Sequence, residues 1–200
     1  LSFQNIGIFI GIHMGYFDER KNVDEYIRMV EDYEAGELIE ILKRYLPAGS
    51  TVLELGMGPG KDLDLLAKTY TVTGSDYSNI FLELYRKKHP SADLLKLDAV
   101  SLETDRKFDC IYSNKVLHHL LKSDIHRSYT RQKELLNDGG LLMHSFWYGD
   151  KEEEFQGLRF VYYTEDELLN TIGSGYEIMA MERYKEDEDN DSFYVILRKE

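Results

Sequence analysis

The chain has 200 residues, enough for one substantial core and few for two independent domains. With 42% hydrophobic and 30% charged residues it reads as an ordinary soluble globular chain, not a disordered one. A formal net charge of -13, unbroken by any Lys/Arg-rich run, argues against nucleic acid as a partner short of a hidden local patch and favours a neutral or cationic small ligand.

In chain order, the first stretch, "LSFQNIGIFIGIH", is apolar but shorter than the ~20 residues needed to cross a bilayer. It lacks a basic flank and a small-residue cleavage site, so it reads as neither anchor nor signal peptide. Residues 1–21 are therefore set aside as an extension, upstream of Met14 or added to the chain, and the domain proper is taken as 22–200. From Asn22 to Leu46, Ile27, Val30, Leu38, Ile41, Leu42 and Tyr45 recur at helical spacing, with Gly36 dividing two helices that form a lid. Pro47 and Gly49 stop them, and "TVLEL" (51–55) is an apolar, β-branched strand.

An alternation follows: helix near 60–69, strand 70–76, helix 78–89 closed by Pro90, strand 93–98, strand 108–114, helical segments to 136, and strand 140–148. Such alternation predicts parallel strands with helices on both faces. Thr164 and Glu167 have capping-box spacing, which predicts a helix over 165–172 ending at Gly173. Strands at 176–184 and 192–199 are separated by "KEDEDND", read as a solvated hairpin loop. Cys110 stands alone in an apolar run, as expected of a buried thiol in a reducing, cytoplasmic setting, and no metal site is expected.

The chemistry concentrates at "VLELGMGPGK". Gly56, Gly58 and Gly60 strip the side chains from a turn that passes from strand to helix, where a parallel sheet binds its ligands. The dinucleotide pattern G-x-G-x-x-G fails because Lys61 stands where its third glycine belongs, and the phosphate loop G-x-x-x-x-G-K-[ST] fails on spacing. Glu54, Asp62 and Asp64 would also repel a diphosphate. The acids argue for a cofactor with positive charge and no phosphate.

"VLELGMGPG" resembles motif I of the class I S-adenosylmethionine-dependent methyltransferases, and four later stretches match in order: "TVTGSDYS", "LLKLDAV", "FDCIYSNKVLHHL" and "LLNDGGLLMHSFW". The likeness spans roughly residues 23–199 and is nearest to the small-molecule branch, the group of ubiquinone and menaquinone biosynthesis. It implies an α/β, Rossmann-like three-layer sandwich with a seven-stranded, mostly parallel sheet of order 3-2-1-4-5-7-6, the last strand antiparallel. It also implies S-adenosyl-L-methionine as cofactor and S-adenosyl-L-homocysteine as product. Carried over, Glu54, Gly56, Met57, Gly58 and Gly60 form the cofactor loop, Asp76 with Tyr77 meets the ribose, Asp98 with Ala99 meets the adenine, and Asn114 and Lys115 lie beside the methionine part.

A sulfonium is already activated, so the enzyme's main task is alignment, and a base is required only where the acceptor holds its proton tightly. His119 and His118 are the candidate bases, with a structural role for either left open. Tyr26 and Tyr33 on the lid, and Arg159, Tyr162 and Tyr163 before the last helix, are candidates for the cofactor cover or the acceptor, though an aromatic stripe is also ordinary core. "SNKV" after the fourth strand lacks the [ND]-P-P-[YF] of base- and amide-modifying relatives. The expected function is methyl transfer to a small molecule by a monomer or homodimer. The alternatives are a non-catalytic cofactor sensor, a protein methyltransferase and, last, a nicotinamide oxidoreductase.

Overall fold

A computed structural model of the chain describes residues 15–32, 36–155 and 157–200. Two helices, α1 (Arg20–Met29) and α2 (Glu37–Leu42), precede the alternation read from the sequence. It runs β1 (Thr51–Leu55), α3 (Lys61–Leu66), β2 (Thr71–Asp76), α4 (Asn79–Lys88), β3 (Leu94–Lys96), β4 (Phe108–Asn114), α5 (Lys122–Leu135) and β5 (Leu136–Trp147). A hairpin of β6 (Glu152–Phe155) and β7 (Leu158–Val161) follows, then α6 (Glu165–Ile172), β8 (Tyr176–Tyr184) and β9 (Ser192–Lys199).

Strand alternation explains the layers. In β1, Val52 joins one apolar cluster, with Leu38, Leu42 and Leu66 of the flanking helices, while Leu53 and Leu55 join the other, with Ile125, Tyr129 and Leu168. Cys110 and Ile111 of β4 divide the same way, because successive side chains leave a strand on opposite faces. Both faces are therefore covered, which is why these strands read as continuous apolar runs. Truncating Leu53, fully buried, would cost about 2–5 kcal/mol.

The main sheet has the order β3-β2-β1-β4-β5-β9-β8. β1 lies parallel to β2 and β4, and β9 runs antiparallel to both β5 and β8. Numbered among themselves, its seven strands follow the expected order with an antiparallel last strand; the chain's own numbering differs because the β6–β7 hairpin intervenes as a separate two-stranded sheet. The sequence hid that hairpin. "EEEF" is exposed at all four positions, so it shows neither alternation nor the β-branched residues that mark a strand.

The N-cap half of the capping box forms: Thr164 Oγ1 accepts from the Glu167 N–H at 3.3 Å, while the Glu167 carboxylate pairs with Lys122. Residues 1–14 and Tyr33 lie outside the described residues. The rest of the segment set aside as an extension is built into the fold, since Tyr16–Asp18 forms a 3-10 turn and α1 already begins at Arg20. The acidic separator also differs from a merely solvated loop. Asp191 accepts from the N–H groups of Glu186, Asp187 and Glu188 at 2.9, 2.9 and 2.8 Å, closing the loop on its own side chain. Cys110 is a buried free thiol, and no helix among the described residues is long and apolar enough to cross a membrane.

Candidate active site

The corner after β1 turns through three left-handed glycines, Gly56, Gly58 and Gly60, with φ of 63, 50 and 87°. They serve different ends. A Cβ on Gly60 would stand 2.2 Å from the Tyr85 ring and one on Gly56 2.7 Å from Val116, so these two let α4 and the loop after β4 close onto the turn. At Gly58 the nearest atom to such a Cβ is Tyr26 Cε1, at an ordinary 3.6 Å. Of the three, Gly58 is the one whose missing side chain leaves room.

Asp76, at the end of β2, is bound to this turn. Its Oδ2 accepts from the Gly58 N–H at 2.9 Å and its Oδ1 from the Ser78 N–H at 2.8 Å. With the Tyr77 N–H also bonded to it, the carboxylate keeps acceptor capacity for about one more donor. Burial raises its pKa to about 6, against the lowering pull of the Ser78, Gly58 and Tyr77 N–H groups. Tyr77 itself is half-buried, with the Lys96 ammonium 5.3 Å from its ring centre.

Two more buried acids face the same space. Glu54 is 4% exposed, and its Oε2 has no hydrogen-bond partner. Burial, then the charges of Asp62, Asp76 and Asp64, push its carboxyl well above the usual range. Asp62 was read from the sequence only as one of the acids that would repel a diphosphate. It accepts from the Tyr112 hydroxyl at 2.8 Å and from Asn114 Nδ2 at 3.2 Å, and burial raises its pKa despite those bonds. Neither Glu54, Asp62 nor Asp76 forms an ion pair among the described residues. Three clustered carboxyl groups carry an electrostatic cost in the ionised form, which protonation or a bound cation relieves.

The lid covers this cluster. Burial raises the Tyr26 hydroxyl to about 12, with Asp76 and Asp62 adding to the effect. Phe17, from the segment set aside in the sequence, packs on Tyr26 and Phe81 with ring centres 5.3 Å from each, and its carbonyl accepts from Ser78 Oγ at 2.6 Å. Lys61 clasps the end of α1 by donating to the Val30 and Glu31 carbonyls, both at 2.5 Å. That contact explains a lysine where a dinucleotide site would have glycine.

Several expectations need correction. Met57 is not presented to a ligand: its side chain is packed with Leu63, Leu82 and Tyr85, its N–H donates to Ser75 O, and its carbonyl accepts from Gly60. The Ala99 carbonyl accepts from Ser128 Oγ at 2.6 Å, and Asp98 Oδ1 caps the Val100 and Ser101 N–H groups, so any adenine contact by Asp98 falls to Oδ2. Asp98 does arrive at the right edge, because the Leu97 N–H donates to the Asp76 carbonyl at 3.1 Å.

At the end of β4 two neighbours face opposite ways. Asn114 turns to Asp62, with Ser145 Oγ donating to its Oδ1 at 2.6 Å. Lys115, held at φ 54°, points away from the acids, contrary to expectation. Its ammonium sits 3.6 Å from the Trp147 ring centre, 2.5 Å from Ser192 Oγ and 3.6 Å from Glu186, and burial lowers its pKa to about 8.

The histidines also separate. His118 is 2% exposed with neither ring nitrogen hydrogen-bonded, and burial holds its pKa well below the usual value. His119 Nδ1 lies 2.6 Å from the Arg159 carbonyl, which only accepts, so Nδ1 donates there and, in the uncharged form of the ring, Nε2 is the basic nitrogen. Arg159 pairs with Glu152 at 3.4 Å, and the Tyr162 hydroxyl donates to Glu153 at 2.6 Å. Tyr163 is fully buried in the core beside Phe146, which removes it from the acceptor candidates.

Residues 52–140 match the family model described as a methyltransferase domain. The trans-aconitate 2-methyltransferase of Paracidovorax citrulli is 34% identical over 96 residues, 45% of this chain and 37% of its own length. The chain spans between 26% and 58% of the curated relatives it matches. The 1,6-didemethyltoxoflavin-N1-methyltransferase of Burkholderia thailandensis, crystallised with 1,6-didemethyltoxoflavin and S-adenosylhomocysteine, superimposes with a TM-score of 0.72 at 19% identity, covering 88% of this chain and 86% of that one. An S-adenosylmethionine-dependent methyltransferase of Clostridium acetobutylicum gives 0.71 at 12% identity, covering 90% and 98%. Residues 52–140 thus match a methyltransferase domain model, and the chain shares the fold of solved S-adenosylmethionine-dependent methyltransferases.

Proposed function

We propose that the chain binds S-adenosylmethionine at the Gly58 corner and transfers its methyl group to a small organic acceptor. The observation that carries this reading is Glu54, a buried carboxylate with an unpartnered oxygen among two other acids, beside a backbone corner bare enough to be approached. A ligand with positive charge and hydroxyls matches that set; a dinucleotide does not. In this reading Asp76 accepts from a ribose hydroxyl, Glu54 and Asp62 face the cationic end, and Tyr26 covers the corner. Bound there, the cofactor supplies a methyl group on a sulfonium that leaves as a neutral thioether.

What the protein adds is alignment, exclusion of water by the lid, and a place for the acceptor's proton. His119 is the group for that proton: the Arg159 carbonyl fixes its tautomer and so keeps Nε2 basic, while His118, buried and uncharged, supports it by packing at 4.0 Å between ring centres. The free thiol of Cys110 suits a reducing compartment. Incubation with methyl-labelled cofactor and a metabolite extract tests the reading. Label should pass to small solutes as demethylated cofactor accumulates. Binding without demethylation would identify a sensor, and label in protein would identify a macromolecular acceptor.

A further inference from the structure

A groove of about 370 Å³ opens at the carboxyl end of β5, between the β6–β7 hairpin and the acidic loop before β9. Its walls are the rings of Trp147, Phe160 and Tyr162 and its rim carries Glu153, Glu154 and Asp187; among the described residues no lysine or arginine lines it. It adjoins the proposed catalytic group, since the Phe160 ring lies edge-on to His119 at 4.9 Å and stacks on His118 at 5.4 Å. The β4 end joins the two halves: Asn114 reaches the cofactor acids, and the next residue, Lys115, reaches the groove wall at Trp147.

The walls already hold cations. The Lys115 ammonium rests on Trp147, and the Lys151 ammonium lies 4.4 Å from the Tyr162 ring centre while pairing with Glu153 at 3.1 Å. Those contacts show ring faces presented as an ammonium needs them. Glu154 and Asp187 form no ion pair among the described residues, although Asp187 acts on the Lys115 ammonium and Glu154 stands across the hairpin from Arg159; acids still outnumber the cations around the groove. A neutral guest would use the rings and leave the acids unmatched, and an anion would meet repulsion. A cation uses both.

We propose that this groove selects an acceptor bearing a protonated alkylamine on a side chain of an aromatic ring, the ring lying among Trp147, Phe160 and Tyr162 and the ammonium facing Glu154 and Asp187. Calling the occupant an acceptor rests on the methyltransferase reading; its charge and shape rest on the groove.

Trp147 is the only tryptophan of the chain, so its emission reports this groove and no other place. Calorimetry with S-adenosylhomocysteine first establishes cofactor binding. Phenethylamine and phenylacetate, alike in size and opposite in charge, are then titrated against Trp147 emission in the loaded protein. The amine should bind about tenfold more tightly than the acid, roughly the effect of one cation contact with aromatic and carboxylate groups. A double substitution, Glu154→Gln with Asp187→Asn, should abolish the preference; both side chains are exposed, so the fold is not at stake. Equal affinities, preference for the acid, no response to either probe, or a preference that survives the substitutions would each overturn the proposal and leave the cofactor site standing. Failure to bind S-adenosylhomocysteine would remove the methyltransferase reading and the proposal with it.

Discussion

The glycine corner proposed for the cofactor and the groove proposed for the acceptor lie at one edge of the sheet but are built by opposite means. The corner is made of buried groups from β1, β2 and the helices beside them, each fixed by several partners: Asp76 by two backbone N–H groups, Gly60 by the ring of Tyr85. The groove is made of half-exposed rings and exposed acids from the end of β5, a hairpin outside the main sheet, and the loop before β9. Function in the first region is inseparable from folding. In the second it can change while the core stays as it is.

The largest effect that could break this contrast is at Gly60. Gly60→Ala places a methyl against Tyr85 in a left-handed backbone, and should cost about 3 kcal/mol or more in chemical denaturation, from overpacking and strain together. Gly58→Ala meets only an ordinary contact with Tyr26, so it should cost about 1–2 kcal/mol while weakening the cofactor more than Gly60's neighbours would suggest. Equal losses at the two positions would contradict the division of labour among the glycines.

Next in size is the acid cluster. The folded Asp76 titrates at about 6 against an ordinary 3.8, so between those values the folded state binds more protons than the unfolded state. Stability of the ligand-free protein should therefore fall as pH rises from about 4 to 6, by up to about 3 kcal/mol, and Asp76→Asn should flatten that slope in thermal melts taken across pH. Cofactor affinity should move the other way, weakening as pH drops below about 6, because binding needs the ionised form. Glu54→Gln should stabilise the empty protein and loosen the cofactor, a pairing expected of a strained site and of no ordinary core residue.

Smaller again is His119→Gln, which should lower kcat about 100-fold for an acceptor that must shed a tightly held proton, with cofactor affinity unchanged. Smallest for the fold is Glu154→Gln in the groove, which should alter stability by less than about 0.5 kcal/mol in chemical denaturation. A larger loss there would mean that the groove is part of the folding core after all.

The same contrast explains what the sequence could reveal. The corner was legible because three glycines at alternate positions, with acids at both of their flanks and at the end of the next strand, are local patterns with one physical use. Asp62 was read as an acid hostile to a diphosphate but not as a site residue, because its partners Tyr112 and Asn114 lie some fifty residues away. Met57 and Tyr163 were misplaced because neighbours in a motif share a location without sharing a direction; one packs under α4 and the other into the core. Lys115 was put at the correct strand end, but its left-handed backbone turns the side chain to the groove. Phe17 was set aside with an apolar leader, although its backbone is tied to Ser78. The hairpin gave no signal, since four exposed positions in a row carry no periodicity.

The central claim is that buried acids around Gly58 await a cationic nucleoside. Calorimetry of S-adenosylmethionine against the wild-type chain and Asp76→Ala tests it most directly, with circular dichroism to show both folded. The account predicts wild-type binding and a loss of at least about tenfold in the variant, the weight of the hydroxyl contact to one ionised carboxylate. Equal affinity in the two proteins would contradict it.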